Sequence, residues 1–167
     1  STTTHTPALA PSATAMVNYP SVREAAELSE RHPGMGIGLH VALTGGITAL
    51  PAREVPSLVD GQGRQPAKPE GLEGADPAQI AAEVEAQFAR FIEVFGRRPT
   101  HLDSHHHSHR RRDVFDAIVA LALREGLPIR NAGGAMREAL AARGVRANDR
   151  FVEEFFDAGV SVPNLIA

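Results

Sequence analysis

Residues 100–109 (THLDSHHHSH) concentrate side chains that can bind a metal ion or transfer protons. The stretch contains Asp103 and five of the eight histidines of the chain, which are His101, His105, His106, His107 and His109. Neutral imidazole is a good ligand for Zn²⁺ and other borderline divalent ions, and histidine is also the commonest general acid or base. Because the chain has no cysteine, any metal must be held by His, Asp, Glu or backbone oxygen.

If this stretch formed a β-strand, its side chains would point alternately to two sides. Residues 101, 103, 105, 107 and 109 would then project to one side, with next-but-one side chains roughly 6–7 Å apart. That spacing allows one or two imidazoles to bind an ion while their neighbours orient the ligands or exchange protons. The four-residue separation of His101 and His105 would also suit a helix, but Pro99 and the alternating pattern favour a strand.

His40 has a similar setting. Residues 36–44 (GIGLHVALT) alternate between apolar and small or polar side chains, which predicts a strand with His40 late on its small, polar face. In α/β proteins, sites form at the carboxyl ends of strands. Two strands that each contribute one histidine would build a metal site, with a third ligand, often a carboxylate, still required.

The remaining elements alternate between strands and helices, which predicts an α/β fold with parallel pairing. The chain is too short for a complete (β/α)₈ barrel, which usually needs about 250 residues. The Gly- and Pro-rich residues 45–74 are expected to form a long loop that acts as a lid or binding loop. Residues 1–11 are expected to be a disordered arm before a single domain of residues 12–167. Strands are predicted near 12–18, 36–44, 100–109 and 127–130. Helices are predicted near 21–33, 76–96, 113–126 and 135–143, followed by a tail that starts another helix; Asp76 and Asp113 are the expected N-caps of the second and third helices.

Composition excludes several other classes. The formal net charge is −3 and the aromatic content 5%, which argue against nucleic acid as a partner. Residues 110–112 are a run of arginines, interpreted as a solvated face, with phosphate binding as the alternative. No apolar run approaches the ~20 residues of a membrane span, and the first residues lack the features of a secretory signal. A cytoplasmic location is therefore expected.

Residues 91–109 (FIEVFGRRPTHLDSHHHSH) resemble the signature of the YdjC-like carbohydrate deacetylases, most of all the chitooligosaccharide branch. Residues 36–46 (GIGLHVALTGG) resemble that family's second motif. The resemblance implies a (β/α) barrel with one divalent ion, Mg²⁺ or Zn²⁺, bound by His40 and His105. It also implies that Asp103 belongs to the catalytic machinery and that His101 and Arg130 contact the substrate.

The chain departs from the family pattern at both ends. An N-terminal strand with an Ala-Asp-Asp-Phe-Gly motif, which supplies a carboxylate in the family, is not found, nor are the C-terminal strands. The barrel is therefore expected to be incomplete. Its exposed strand edges predict self-association, most simply as a homodimer.

The function that this resemblance implies is metal-dependent removal of the N-acetyl group from N-acetylglucosamine-containing oligosaccharides such as chitobiose. His107 or His109 would return a proton to the leaving nitrogen. Two alternatives remain. One is deacetylation of a lipid-linked, hopanoid-type glucosamine, and the other is a catalytically inactive domain that binds a metal or a sugar.

Overall fold

The computed structural model of the chain describes residues 12–149 and residue 151. The expected N-terminal arm and the expected helical tail lie outside these residues. Among the described residues, no helix is long and apolar enough to cross a membrane.

A parallel sheet forms the centre of the described chain. Its strands are β1 (Ser12–Ala15), β2 (Gly36–Val41) and β3 (Leu102–Ser104), and they lie side by side in chain order. Single parallel bridges continue the sheet from Leu102 to Ile129 and from Ile129 to Ala147. Since all pairings are parallel, the carboxyl ends of these segments lie along one edge, which confirms the predicted α/β class.

Within the described residues, four α-helices connect or follow the strands: α1 (Val22–Glu30), α2 (Pro77–Phe95), α3 (Arg112–Glu125) and α4 (Gly134–Ala142). The longest, α2, packs against β2, α1 and α3. Its apolar stripe is buried, and two of its rings, Phe91 and Phe95, stack with centroids 4.3 Å apart. The opposing apolar side chains of β2, Leu39 and Val41, are completely buried, so the core lies between the sheet and this helix layer.

The ends of α2 follow directly from local sequence signals. The Asp76 carboxylate accepts a hydrogen bond from the Ala78 N–H at 2.8 Å, Pro77 occupies the first helical position, and Gly96 ends the helix with a φ of 64°. The predicted helix over residues 76–96 is therefore confirmed.

The structure corrects three expectations. The strand predicted through His109 ends at Ser104, and a 3₁₀ segment, His105–Arg110, follows it. Residues 127–130 contribute one bridge at Ile129 and not a strand. Helix α3 begins at Arg112, so Asp113 is not its N-cap; its carboxylate pairs instead with Arg111 at 2.8 Å.

The predicted loop over residues 45–74 contains two short 3₁₀ turns, Pro56–Leu58 and Pro69–Leu72. Backbone hydrogen bonds join its two ends: Gly45 donates to the Pro66 carbonyl at 2.8 Å and Gln65 donates to the Gly46 carbonyl at 2.9 Å. The loop therefore folds back on itself at the carboxyl edge of the sheet.

Asp76→Ala is expected to lower the free energy of unfolding by about 1 kcal/mol, because the first turn of α2 loses its side-chain cap. Urea denaturation followed by circular dichroism measures the change. Glu93→Ala, at an exposed position in the same helix, is the control and should change the stability by less than about 0.5 kcal/mol. Equal effects of the two substitutions would contradict the capping role.

Candidate active site

Two facing strand residues form the centre of the site. His40 and Asp103 are direct partners in the parallel register of β2 and β3. His40 Nδ1 lies 2.5 Å from Asp103 Oδ1, and Thr14 Oγ1 of β1 lies 3.4 Å from the same nitrogen. The carboxylate favours the tautomer in which Nδ1 carries the proton, which leaves Nε2 as the basic nitrogen of His40. Among the described residues, Nε2 has no hydrogen-bond partner.

Asp103 also pairs with an arginine on its other oxygen. Arg130 Nη1 lies 3.1 Å from Asp103 Oδ2, and Arg130 follows the Ile129 bridge at the same edge of the sheet. The Asp103 side chain is only 2% exposed. A buried carboxylate requires such partners, because an unpaired charge is costly to remove from water.

The 3₁₀ segment brings His105 to this pair. The centroid of the His105 ring lies 5.5 Å from that of His40 in a T-shaped arrangement and 3.8 Å from that of His106. Burial, together with the neighbouring imidazoles of His106 and His40, lowers the pKa of His105 to about 4. His105 is therefore neutral near pH 7, which is the form that binds a metal ion.

The backbone of this segment is unusual at two histidines. His106 and His107 both have a φ of 51°, in the left-handed region that non-glycine residues rarely adopt. Thr44 Oγ1, in the segment that follows β2, lies 3.0 Å from His106 Nδ1 and holds this ring in place. Neither feature was predicted.

His109 is a buried residue of the same 3₁₀ segment. Its Nε2 lies 3.1 Å from the Arg130 carbonyl oxygen, its Nδ1 contacts Ser104 Oγ, and its backbone N–H donates to the same hydroxyl at 3.0 Å. The arrangement fits a neutral ring with the proton on Nε2. Burial and the positive charge of Arg130 lower the pKa of His109 to about 4. His107 is half-buried, with its ring centroid 6.2 Å from that of His109.

His101 lies over a glycine of the neighbouring strand. A Cβ atom on Gly38 would lie 2.5 Å from His101 Nε2. A side chain at position 38 would therefore collide with the His101 ring. His101 Nδ1 lies 2.9 Å from Thr100 Oγ1. Burial lowers the pKa of His101.

Comparison with known proteins assigns the chain to a family. The family model described as YdjC-like protein matches residues 7–165. The chain belongs to the YdjC-like family.

Relatives of this YdjC-like chain carry informative names. A carbohydrate deacetylase of Geobacillus stearothermophilus is 46% identical over 119 residues, which are 71% of this chain and 47% of that protein. A chitooligosaccharide deacetylase of Yersinia pestis (strain Pestoides F) is 37% identical over 157 residues, 92% of this chain and 59% of that protein. The chain thus spans about half to three fifths of the length of these two relatives.

A solved structure from Enterococcus faecalis, described as that of a cellobiose-phosphate cleavage protein, is also similar. It superposes with a TM-score of 0.86 and 31% identity over 93% of this chain and 62% of that one.

The structure of this YdjC-like chain brings together four of the predicted site residues, His40, Asp103, His105 and Arg130. His101 directly precedes β3 and lies two residues before Asp103. His107 and His109 lie in the 3₁₀ segment that follows the strand. Their chemical roles stay predictions. The sequence reasoning missed Thr14, Thr44 and Gly38; of these, only Gly38 had a visible signal, as part of the small face of β2 that carries His40.

A divalent ion needs several donor atoms that converge on one point. Within residues 12–149 and 151, no group of three or more His, Asp or Glu side chains is arranged to hold a metal. His40 and His105 nevertheless offer two neighbouring imidazoles, and Asp103 binds the second ring nitrogen of His40, as orienting carboxylates do in metal sites. The residues present therefore fit as two ligands and one orienting group, and a complete site would need further ligands.

Gly38→Ala is expected to destabilise the protein by about 1–3 kcal/mol, because the new methyl group must displace the His101 ring from a packed position. The sign of the change in unfolding free energy is informative, because replacing a glycine in a strand by alanine would otherwise stabilise the protein by about 0.5–1 kcal/mol. Chemical denaturation and the imidazole resonances of His101 measure the effect. Gly34→Ala is the control, because no atom lies within 4 Å of its added Cβ. A stabilised Gly38→Ala protein with unchanged His101 resonances would refute the contact.

The buried state of His109 predicts a pH dependence of stability. Its folded pKa of about 4 lies below the ordinary value of 6.5, so protons bind preferentially to the unfolded chain between these values. The contribution of His109 to stability is complete above pH 6.5 and is lost as the pH falls towards 4. His109→Gln should flatten this part of the profile of unfolding free energy against pH, whereas His32→Gln, at an exposed position, should leave it unchanged. Identical profiles for the His109 variant and the wild type would contradict this assignment.

Proposed function

We propose that this chain supports the metal-dependent removal of the N-acetyl group from N-acetylglucosamine-containing oligosaccharides such as chitobiose. The observation that carries the proposal is the cluster of His40, His105, Asp103 and Arg130 at the carboxyl edge of a parallel sheet. The deacetylase names of two relatives, one of them a chitooligosaccharide deacetylase, support the choice of reaction and substrate.

In this proposal, His40 and His105 hold one divalent ion, Mg²⁺ or Zn²⁺. When bound, such an ion supplies Lewis-acid polarisation of the amide carbonyl and activation of water at neutral pH. The low pKa of His105 keeps its ring unprotonated, and Asp103 fixes the proton of His40 on Nδ1, so that each ring presents a basic nitrogen.

The other residues orient and transfer protons. Both oxygens of Asp103 are already paired, so its task is to orient His40 and not to accept a proton from water. Of the two histidines considered as the acid, His109 is 1% exposed and bonded at both ring nitrogens, whereas His107 is half-buried. We therefore assign protonation of the leaving nitrogen to His107.

We further propose that the sheet is part of a (β/α) barrel. The strands follow chain order, all pairings are parallel, and the helices α2 and α3 pack together outside them. These are features of the (β/α) barrel, whose sites lie at the carboxyl ends of the strands.

A second candidate function is a catalytically silent domain that binds a metal or a sugar. The observation that favours it is that the described residues contain no group of three or more His, Asp or Glu side chains that could hold a metal ion. Two ligands can bind a metal ion weakly without completing a hydrolytic centre.

The deciding experiment measures acetate released from N,N′-diacetylchitobiose, with and without a chelator. We expect release that the chelator abolishes, and that falls at least about 100-fold in His105→Ala together with the loss of bound metal. His32→Ala is the matched control and should retain both properties.

Retained metal without acetate release would reject the deacetylase in favour of the silent binding domain. Release from a lipid-linked N-acetylglucosamine alone would reject the oligosaccharide substrate. Metal occupancy unchanged in His105→Ala would remove that residue from the ligand set.

A further inference from the structure

A cavity within the loop of residues 45–74 lies directly beside the histidine cluster. Its volume is about 840 Å³, and its walls come from the two joined ends of the loop and from its first 3₁₀ turn. Small-molecule sites commonly have volumes of about 300–1,000 Å³. Gly45 belongs to both regions: it lines this cavity, and a Cβ atom placed on it would stand 3.4 Å from His105 Nε2.

A buried polar network holds the backbone at and just after Ile47, which lines the cavity. Glu83 of α2 is completely buried, and its two carboxylate oxygens accept the N–H groups of Ala49 at 2.7 Å and Leu50 at 3.0 Å. Burial raises the pKa of Glu83, which makes these hydrogen bonds to its charged form necessary. Asn18 adds a bond to the Ile47 carbonyl oxygen at 2.7 Å.

The same network fixes the end of β2. The Ala42 carbonyl oxygen accepts from Gln87 Nε2 at 2.7 Å and from Gln65 Nε2 at 2.9 Å, while Gln87 Oε1 accepts the Ala42 N–H at 2.9 Å. These hydrogen bonds hold the backbone on two sides of the cavity, at Ile47 and at Gln65, although Asn18 Oδ1 and Gln65 Oε1 have no hydrogen-bond partner among the described residues.

The side chains around the cavity favour a neutral ligand rich in hydroxyl groups. Its charged lining residues are one acid, Asp60, and one base, Arg64, so their charges cancel. Hydrogen bonds from the backbone of Arg64 and Gln62 lower the pKa of Asp60, which therefore stays ionised and shapes the turn. Ile47 is 56% exposed, an apolar surface of the kind that the C–H face of a pyranose ring can cover.

We infer that this cavity is a subsite for a second sugar ring of an oligosaccharide whose first ring occupies the histidine cluster. The inference rests on the proposed function for the position of the first ring. In the bound state, Arg64 and Gln62 hydrogen-bond to hydroxyl groups of the second ring, and Ile47 contacts its apolar face. The loop thus selects oligosaccharides over single sugars.

The test compares binding of N,N′-diacetylchitobiose and N-acetylglucosamine to the chain by NMR titration. Arg64→Ala and Ile47→Ser, both at exposed positions, should each weaken disaccharide binding about tenfold, the loss expected for one good contact, and leave monosaccharide binding unchanged. Arg97→Ala and Leu123→Ser are the matched controls, because both positions are exposed and lie outside the lining of the cavity.

Binding is measured separately from acetate release, so the two proposals can fail independently. Selective loss of disaccharide affinity without any acetate release would keep the subsite and reject the deacetylase. Acetate release with equal disaccharide affinity in all variants would overturn the subsite and keep the deacetylase. Equal weakening of both sugars, or no binding of either, would also overturn the subsite.

Discussion

Asp103 carries a buried negative charge whose two oxygens meet different partners, the imidazole of His40 and the guanidinium of Arg130. These partners belong to segments that are far apart in the chain but adjacent in the sheet. Since the charge would be costly to bury alone, the carboxylate stabilises the arrangement only when both partners are in place. One side chain thereby ties β2, β3 and the segment after Ile129 together at the edge where the site forms.

Glu83 presents the same problem with a different solution. Asp103 is neutralised by charged or chargeable side chains, whereas Glu83 is surrounded by N–H groups of the backbone and of two amides. The charges of Asp103 and Arg130 also act on the pKa values of the nearby histidines, in opposite directions. Backbone donors suit a structural role, since they fix the path of the loop without adding net charge. Asp103 thus positions His40 and Arg130, and Glu83 positions the loop at Ala49 and Leu50.

Helix α2 could be predicted to the residue because its signals are local: Asp76, Pro77 and Gly96 each act on the turn in which they stand. The alternation of residues 36–44 also predicted strand β2, although the strand ends at Val41. The pairing of His40 with Asp103 could not be derived in this way, because it depends on a register between residues 63 positions apart. Asp113 was misassigned as a cap because Arg111 competes for its carboxylate. The strand conformation predicted for the histidine run was wrong beyond Ser104, because the run contains no glycine that would have indicated a left-handed φ.

The left-handed backbone at His106 and His107 opposes the intrinsic preference of the chain by about 1–2 kcal/mol at each residue. That cost is met only by surrounding contacts, among them the hydroxyl of Thr44 on a different part of the chain. A short peptide with these same letters would therefore relax to other shapes and scatter its imidazoles. The arrangement of the cluster therefore depends on the sheet edge that supplies these contacts, and the sequence of residues 105–107 alone does not impose it.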